Sequence, residues 1–242
     1  MATTKRKKPL ALPICFDRIV PADMRKKAVK RSARLALMRG KFWQVGQTIN
    51  CKFMEGTVTQ QLRTEEIAHE WEQYANIKFR FASSGDTEIR IAFQQGQGSW
   101  SAVGTDALVT DLFPADGPTM NFGWLTDDTD MTEWRRVVLH EFGHALGAIH
   151  EHQSPSEGLD WNTAVVYDCY GGPPNNWSRE QVDQNVLSHY SKEQTNLTSF
   201  DRDSIMLYSF PGELFVNGQS TPFNTELSQL DKAFMKRQYP AG

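Results

Sequence analysis

Alternating apolar and polar residues predict several strands in the first half of the chain. The two-residue period of a half-buried strand occurs in three runs, which are 47–53, Ile77–Phe81 and Glu88–Phe93. In the first run, Cys51 falls on the apolar face, and we interpret it as a small core residue rather than a ligand. Met120–Leu125 is a further strand candidate, whereas residues 94–105 are rich in Gly, Ser and Gln and are predicted to form a loop.

Helical periods are interspersed with these strands. Residues 21–39 and residues 62–76 each show a helical pattern, and a third helix is predicted over residues 130–146. At the start of the third helix, Asp130 and Glu133 have the spacing of a capping box. Its predicted buried positions are Met131, Trp134, Val138, Ala145 and Leu146. Strands and helices followed by a long helix predict a mixed α+β domain.

Composition and charge narrow the possible classes of protein. The chain has 242 residues, of which 39% are hydrophobic and 23% charged, as is typical of a globular protein with a sizeable core. A net charge of −3 argues against a nucleic-acid partner, and no apolar run approaches the roughly 20 residues of a membrane span. The Lys5–Lys8 run is interpreted as a solvated tail, with a targeting or nucleic-acid role as the alternative. We expect an extension over residues 1–40 and one domain over residues 41–242.

The cysteines indicate a protein that folds without a disulfide framework. Cys15, Cys51 and Cys169 are an odd number, so at least one of them cannot pair within the chain. This usage favours a reducing compartment or folding without disulfides. No apolar stretch adequate for a signal peptide follows the basic N-terminus, so we expect a cytoplasmic protein or export by a non-standard route.

The third predicted helix carries the sequence His-Glu-Phe-Gly-His-Ala-Leu-Gly-Ala-Ile-His, from His140 to His150. Four residues advance a helix by about 400°, so His140 and His144 lie on one face and can reach one metal ion. Glu141 lies beside them, close enough to contact a water molecule at the metal. Gly147 can adopt the left-handed conformation that ends a helix, which lets the chain bring His150 in as a third ligand.

This extended pattern is expected by chance in roughly one chain in fifty thousand, so unrelated surface histidines are a poor alternative. Three neutral imidazoles leave zinc its charge and an open position, where the pKa of a water molecule falls towards about 7. The motif therefore predicts a zinc hydrolase with Glu141 as general base. Three alternatives stay open, namely a zinc-binding protein without catalysis, hydrolysis of a small non-protein amide, and a nucleic-acid or membrane-associated protein that uses the basic N-terminus.

The zinc motif matches the metzincin signature, and two further matches resemble the astacin family of metzincin proteases. Glu151 directly follows the third histidine, as it does in astacins. The run Ser204-Ile205-Met206-Leu207-Tyr208, preceded by Phe200-Asp201, resembles the Met-turn of that family. The elements also follow the family's order, with the sheet first, then the zinc helix, a helical segment and the Met-turn.

The resemblance implies a metzincin-type catalytic domain with a twisted, mostly parallel sheet, an active-site helix and a helical C-terminal subdomain. It also implies one catalytic Zn²⁺, whose ligands would be His140, His144, His150 and Tyr208. Tyr208 would swing away from the metal to donate a hydrogen bond to the oxyanion, and Met206 would form a hydrophobic floor under the site. Glu151 would make a structural ion pair and take no part in the chemistry.

The sequence also departs from the family. Leu207 replaces the usual histidine of the Met-turn, the family disulfides have no counterpart, and no family-type propeptide is evident. Some metzincins are held latent by a Cys or an Asp of an N-terminal segment, and a thiolate is a good zinc ligand. Cys15 or Asp17 is therefore a candidate for filling the open zinc position, and the alternative is that this segment packs on the domain with Cys15 buried.

The activity implied by the resemblance is that of a zinc metalloendopeptidase, which hydrolyses peptide bonds in proteins with a zinc-activated water. We expect a protein or peptide substrate, no nucleic-acid or membrane partner, and a monomer. Metzincin substrates lie along an edge strand near the zinc helix, and Met120–Leu125 is the expected edge, with Thr119–Gly123 facing the peptide. The specificity pocket is expected to draw on Ser209–Phe215, and His152 is interpreted as a structural or rim residue.

Overall fold

The computed structural model places a six-stranded sheet beside the zinc-motif helix. It describes the backbone of residues 15–18 and the ranges 41–83, 85–154, 158–173, 175–189 and 199–242. The predicted helix over residues 21–39 lies outside the described residues. None of the helices in the described ranges has both the length and the apolar character of a membrane span.

The sheet is mixed, and most of its neighbouring strands are parallel. Its strands are β1 (Cys15–Arg18), β2 (Thr48–Phe53), β3 (Lys78–Phe81), β4 (Ile89–Ala92), β5 (Ser99–Ala102) and β6 (Met120–Asn121). They lie in the order β1-β5-β6-β4-β2-β3, and β5 is antiparallel to β6 whereas the other neighbours are parallel. Strands β2, β3 and β4 fall within the three alternating runs, so the prediction of these strands is confirmed.

Two predictions about the sheet are wrong. Residues 94–105, which we expected to form a loop, contain β5, a strand of only four residues inside a stretch rich in Gly, Ser and Gln. Met120–Leu125 is not an edge strand, because β6 pairs with β4 on one side and with β5 on the other. The main-chain N–H groups of Thr119 and Phe122 donate to carbonyl oxygens of β4, so this backbone is used within the sheet. The expected peptide contact along Thr119–Gly123 is therefore excluded.

Helices pack on the sheet and form much of the C-terminal half. The helices are α1 (Val58–Ala68), α2 (Met131–Ala145), α3 (Thr163–Gly171), α4 (Arg179–Val182) and α5 (Gln229–Gln238). A π-helical turn, Asp183–Leu187, continues α4 directly. Single 3-10 turns lie at His69–Gln73, Gly104–Leu108, Glu151–Gln153 and Gly212–Leu214.

Helix α1 differs from its predicted range because its buried face is partly polar. It begins at the Thr57 N-cap, where the side chains of Thr57 and Gln60 form a capping box. Leu62, a residue that supported the predicted period, is 61% exposed. The buried face instead contains Gln60 and Thr64, which hydrogen bond to main-chain carbonyl groups. An apolar period cannot reveal a face of this kind.

Two apolar clusters organise the described residues. The larger cluster fills the space between the sheet and helices α1 and α2, and Trp71 and Trp134 are its largest fully buried members. The smaller cluster lies in the C-terminal half and includes Val166, Val182 and Phe210. This division confirms the predicted mixed fold with a helical C-terminal subdomain.

Contacts around Trp43 attach the start of the main described segment to the end of α2. The Trp43 indole donates to the Ala145 carbonyl oxygen at 2.7 Å. The Tyr239 hydroxyl accepts from the Trp43 main-chain N–H and donates to the Leu146 carbonyl oxygen. These bonds fix the turn that follows the zinc-motif helix, while the domain boundary at residue 41 stays a prediction.

Candidate metal centre and active site

Asp130 fixes the start of the zinc-motif helix. Its carboxylate accepts a hydrogen bond from Thr132 N at 2.8 Å, which satisfies one free N–H group of the first turn. The predicted capping box is incomplete, because the Glu133 carboxylate accepts from the Trp124 indole and the Arg136 guanidinium instead. Of the positions predicted to be buried on this helix, Met131 is exposed and the others are buried, namely Trp134, Val138, Ala145 and Leu146.

The three predicted histidines meet at one point. The Nε2 atom of His140 lies 3.1 Å from Nε2 of His144 and 3.2 Å from Nε2 of His150. The Nε2 atoms of His144 and His150 are also 3.2 Å apart. All three side chains are buried. The helical spacing of the first two residues and the turn before the third therefore produce the predicted convergence.

The opposite ring nitrogens of two histidines are fixed by main-chain carbonyl groups. His140 Nδ1 donates to the Ile205 oxygen at 2.8 Å, and His144 Nδ1 donates to the Ala148 oxygen at 3.0 Å. A carbonyl can only accept, so each Nδ1 carries the proton and each Nε2 presents its lone pair to the common point. Burial, followed by the neighbouring His144 and His150, holds the pKa of His140 well below its usual value. The His140 imidazole is therefore neutral, as a metal ligand must be.

This donor set fits a zinc ion. Nitrogen atoms roughly 2.0–2.1 Å from one tetrahedral ion lie about 3.3 Å apart, close to the separations between these Nε2 atoms. Within the described ranges, these histidines are the only group of three or more His, Cys, Asp or Glu residues with ligand atoms close enough to share a metal. Cys51 is buried and outside this group, which agrees with its interpretation as a core residue. His140, His144 and His150 would hold the zinc ion.

A left-handed glycine turns the chain after the helix. Gly147 has φ of +97°, and its N–H donates to the His144 carbonyl oxygen at 2.7 Å. A Cβ at this position would lie 2.9 Å from the Phe42 ring, so both the backbone and the space require glycine. The prediction that Gly147 ends the helix and lets His150 return to the site agrees with this geometry.

The segment predicted to be the Met-turn lies directly beneath the zinc-motif helix. The Met206 carbonyl oxygen accepts from Glu151 N at 3.0 Å. The Met206 side chain is buried, and its sulfur would lie only 2.5 Å from a Cβ placed on Gly143. Gly143 therefore lets Met206 approach the helix closely between the two histidine positions. This arrangement is a hydrophobic floor of the kind that the resemblance implies.

The Tyr208 ring lies against two of the histidines. Its centroid is 4.2 Å from that of His150 and 5.4 Å from that of His140. The side chain is only 7% exposed, and it belongs to the smaller apolar cluster. The fold thus brings Tyr208 to the metal centre, and its role as a ligand stays a prediction.

Both glutamates of the extended motif are at least partly buried. Glu141 follows His140 on α2, and its side chain is fully buried. The Glu151 carboxylate accepts from Asp201 N at 2.9 Å. Burial raises the pKa of Glu151 to about 7, although this hydrogen bond opposes the shift. In the described ranges no basic side chain forms a salt bridge with Glu151, so its structural ion pair stays a prediction.

The candidate latency residues lie on strand β1. Cys15 aligns with Ser99 of β5, and Asp17 aligns with Ser101. Their side chains lie outside the described part of the chain, so the latency hypothesis stays a prediction. Of the residues expected to form the specificity pocket, Phe210, Leu214 and Phe215 are buried in the smaller apolar cluster.

Sequence reasoning missed the groups that orient the site. The carbonyl oxygens of Ile205 and Ala148 belong to the main chain, so no side-chain motif could have identified them. Asp231 holds the Met-turn by accepting from the Ser204 hydroxyl at 2.7 Å and from Ile205 N at 2.8 Å. Its only sequence signal is the capping-box spacing with Ser228, which indicates a helix start and not this contact.

A family model and several solved structures match this chain. The family model described as Matrixin matches residues 43–188. A structure of myroilysin is 44% identical, with a TM-score of 0.81 over 85% of this chain and 98% of that chain. A crystal structure of myroilysin is 39% identical, with a TM-score of 0.69 over 97% of this chain and 94% of that chain.

A more distant structure supports the fold. High choriolytic enzyme 1, a hatching enzyme zinc-protease from Oryzias latipes (medaka fish), is 16% identical, with a TM-score of 0.50 over 82% of this chain and 94% of that chain. A search of curated proteins finds no match. The family model covers more than half of the chain, and the myroilysin structures are 39% and 44% identical to it. The protein is therefore a metzincin zinc metalloprotease, as its zinc motif and Met-turn predict, and belongs to the group that includes the matrixins.

Proposed function

We propose that this zinc metalloendopeptidase cleaves peptide bonds within protein substrates with Glu141 as general base and Tyr208 as a helper group. The observation that supports this proposal most directly is the convergence of three buried Nε2 atoms on the helix that also carries Glu141. Three histidines without a charged ligand suit a catalytic zinc rather than a closed structural site.

The chemistry divides between the metal and the chain. Zinc held by three neutral imidazoles lowers the pKa of a water molecule and polarises the scissile carbonyl. Glu141 takes a proton from the attacking water and returns it to the nitrogen of the leaving amine. Because Glu141 is buried, its carboxylate acts with few competing waters, which strengthens its interaction with the transferred proton.

Tyr208 adds a hydrogen-bond donor near the reacting carbonyl. With zinc bound, its phenol would be a ligand in the resting enzyme and would move aside to donate a hydrogen bond to the oxyanion. The contacts of its ring with His140 and His150 support this assignment. Loss of one such donor costs a factor of about 10² to 10³ in kcat in comparable sites, so Tyr208→Phe should retain zinc and lose most of its activity.

We now propose that the peptide substrate binds along the outer edge of β5. Strand β5 packs beside α2, and β6 covers its inner side. On its outer side, β5 pairs with β1, which belongs to residues 1–40. A substrate added along this edge would have to replace β1. We therefore propose that the N-terminal extension acts as a pro-segment, in which Cys15 or Asp17 would fill the open zinc position.

Cleavage of denatured casein tests this function. The full-length protein and a truncation lacking residues 1–40 are compared with and without a zinc chelator. We expect chelator-sensitive cleavage that is faster after truncation, because the edge of β5 is then open. Absence of chelator-sensitive cleavage by both proteins would contradict the peptidase mechanism, whereas equal rates would contradict only the pro-segment.

A further inference from the structure

His152 joins the third zinc-ligand histidine to a helix of the C-terminal half. Its side chain is fully buried, and Nε2 donates to the Asn185 carbonyl oxygen at 3.2 Å. The next residue, Gln153, donates from Nε2 to the Gln184 carbonyl oxygen at 2.8 Å. Two consecutive side chains of the Glu151–Gln153 turn are therefore attached to the same short stretch of backbone.

That stretch is the π-helical turn at the end of α4. Ser188 N donates to the Asp183 carbonyl oxygen at 2.7 Å, which closes the wider turn. The last carbonyl groups of a helix have no partner within the helix, and here the side chains of His152 and Gln153 fill two of these positions. π-turns are rare and are frequent at functional sites. The turn thus provides a fixed support directly behind the metal centre.

The supported imidazole packs against Tyr208. The His152 ring centroid lies 5.0 Å from that of Tyr208, at an interplanar angle of 32°. It also lies 5.0 Å from the ring of His150, at the same angle of 32°. Phe210 closes the group, with ring centroids 5.0 Å from His152 and 5.5 Å from Tyr208. The Tyr208 ring is therefore bordered by zinc-ligand histidines and by a histidine anchored to the π-turn.

We propose that His152 is a positioning residue for Tyr208, which rests on the proposed role of Tyr208 at the zinc ion. The hydrogen bond to Asn185 fixes the imidazole plane, and that plane limits where the phenol ring can lie. A group that must alternate between a metal and an oxyanion works only if its end positions are fixed. His152 acts through the ring of Tyr208 and is not one of the three histidines that would share the metal.

Gln153 provides a matched control. It bonds to the same π-turn through the same kind of contact, is similarly buried, and has no aromatic ring to place against Tyr208. His152→Gln keeps an amide donor within reach of the Asn185 carbonyl and removes the ring. His152→Gln can therefore keep the hydrogen bond to the π-helical turn even if His152→Ala destabilises the fold. If His152 has a purely structural role, substitutions of His152 and Gln153 should change kcat equally. If His152 positions Tyr208, only substitution of His152 should lower kcat strongly.

The first test is a double-mutant cycle on peptide hydrolysis. We expect His152→Ala and His152→Gln to lower kcat by roughly 10-fold, as losses of groups that orient a metal site do. In a Tyr208→Phe background, the same changes should lower kcat no further, because residues that act through one another are not additive. Gln153→Ala should lower thermal stability and keep kcat within about twofold of the wild type.

The second test reads the metal centre without turnover. In protein loaded with Cu²⁺, a tyrosinate ligand gives a visible charge-transfer band, which Tyr208→Phe should abolish. We expect the band to be present in Gln153→Ala and to be shifted or weakened in His152→Gln. A wild-type band and kcat in His152→Gln, or additive losses in the cycle, would overturn the positioning role alone. An unchanged band and kcat in Tyr208→Phe would overturn the proposed function of Tyr208, and this inference with it.

Discussion

The Nδ1 atom of His140 lies 2.8 Å from the carbonyl oxygen of Ile205, so the Met-turn orients the first residue of the zinc motif. Ile205 is itself held, because its N–H donates to the Asp231 carboxylate at 2.8 Å. The orientation of the His140 ring therefore depends on a carboxylate near the C-terminus. Mutation of a residue that contacts neither metal nor substrate should alter zinc affinity through this chain of contacts.

Asp231→Asn tests that dependence. The carboxylate accepts from Ser204, Ile205 and Ser228, and an amide would place donor hydrogens against at least one of these donors. We expect the free energy of unfolding to fall by about 1–3 kcal/mol and zinc affinity to fall by roughly 10-fold. Denaturant unfolding and a competition titration with a metal indicator measure these effects, with the exposed Asp203→Asn as control. Wild-type zinc affinity in Asp231→Asn would contradict the link.

Removal of zinc should destabilise the protein. A ligand that binds only the folded state at 100 times its Kd adds about 2.7 kcal/mol to the free energy of unfolding. We therefore expect a chelator to lower the melting temperature of the wild type and to leave that of His144→Ala unchanged. Differential scanning calorimetry with and without chelator measures the difference. A chelator effect of equal size in both proteins would place the stabilising metal elsewhere.

Gly147→Ala should disturb the return of His150 to the site. The backbone at this position has φ of +97°, and a Cβ would lie 2.9 Å from the Phe42 ring. We expect a loss of about 1–3 kcal/mol in unfolding free energy, because strained backbone positions have costs of this size. Gly158→Ala is the control, since a Cβ there meets nothing within 4 Å. Equal stability of the two variants would show that the turn does not require glycine.

Glu151→Gln should change how stability depends on pH. Burial raises the pKa of Glu151 from 4.5 to about 7, so between these values the folded state binds more protons than the unfolded state. Its contribution to stability is therefore complete below pH 4.5 and is lost as the pH rises through 7. Glutamine does not titrate in this range. The free energy of unfolding of the variant should therefore exceed that of the wild type by up to about 3 kcal/mol at pH 8 and should match it near pH 4.

Urea unfolding across this pH range in the presence of chelator measures the Glu151 effect without a contribution from zinc. The amide oxygen of glutamine can still accept from Asp201 N, so the native contact is retained. A variant that is less stable than the wild type at pH 8 would indicate a cationic partner for Glu151. That outcome would favour the structural ion pair implied by the family resemblance.

The sequence predicts the parts of this fold that depend on neighbours in the chain. The spacing from His140 to His144 fixes a shared helix face, and Gly147 marks the turn, so the metal centre follows from eleven consecutive residues. Alternation identifies strands with one buried face, such as β2. It does not reveal Ser99–Ala102, because the alternation there spans only four residues inside a stretch rich in Gly, Ser and Gln.

Contacts between distant segments could not be predicted in the same way. The strand order places β6 between β4 and β5, and this order depends on tertiary packing rather than on the residues of β6. The assignment of Met120–Leu125 as an edge therefore failed. Likewise, His152 shows no periodic signal, because its importance arises from Asn185 and Tyr208, which are far from it in the sequence.

The activity of Glu141→Gln, measured together with its zinc content, tests the catalytic role of Glu141 at the zinc ion. Glutamine keeps the size of the side chain and cannot accept a proton from water, while the three histidines are unchanged. We predict one zinc ion per chain by metal analysis and a fall in casein cleavage of roughly 10²-fold or more. Full cleavage by a zinc-loaded Glu141→Gln protein would contradict the role of Glu141 as general base.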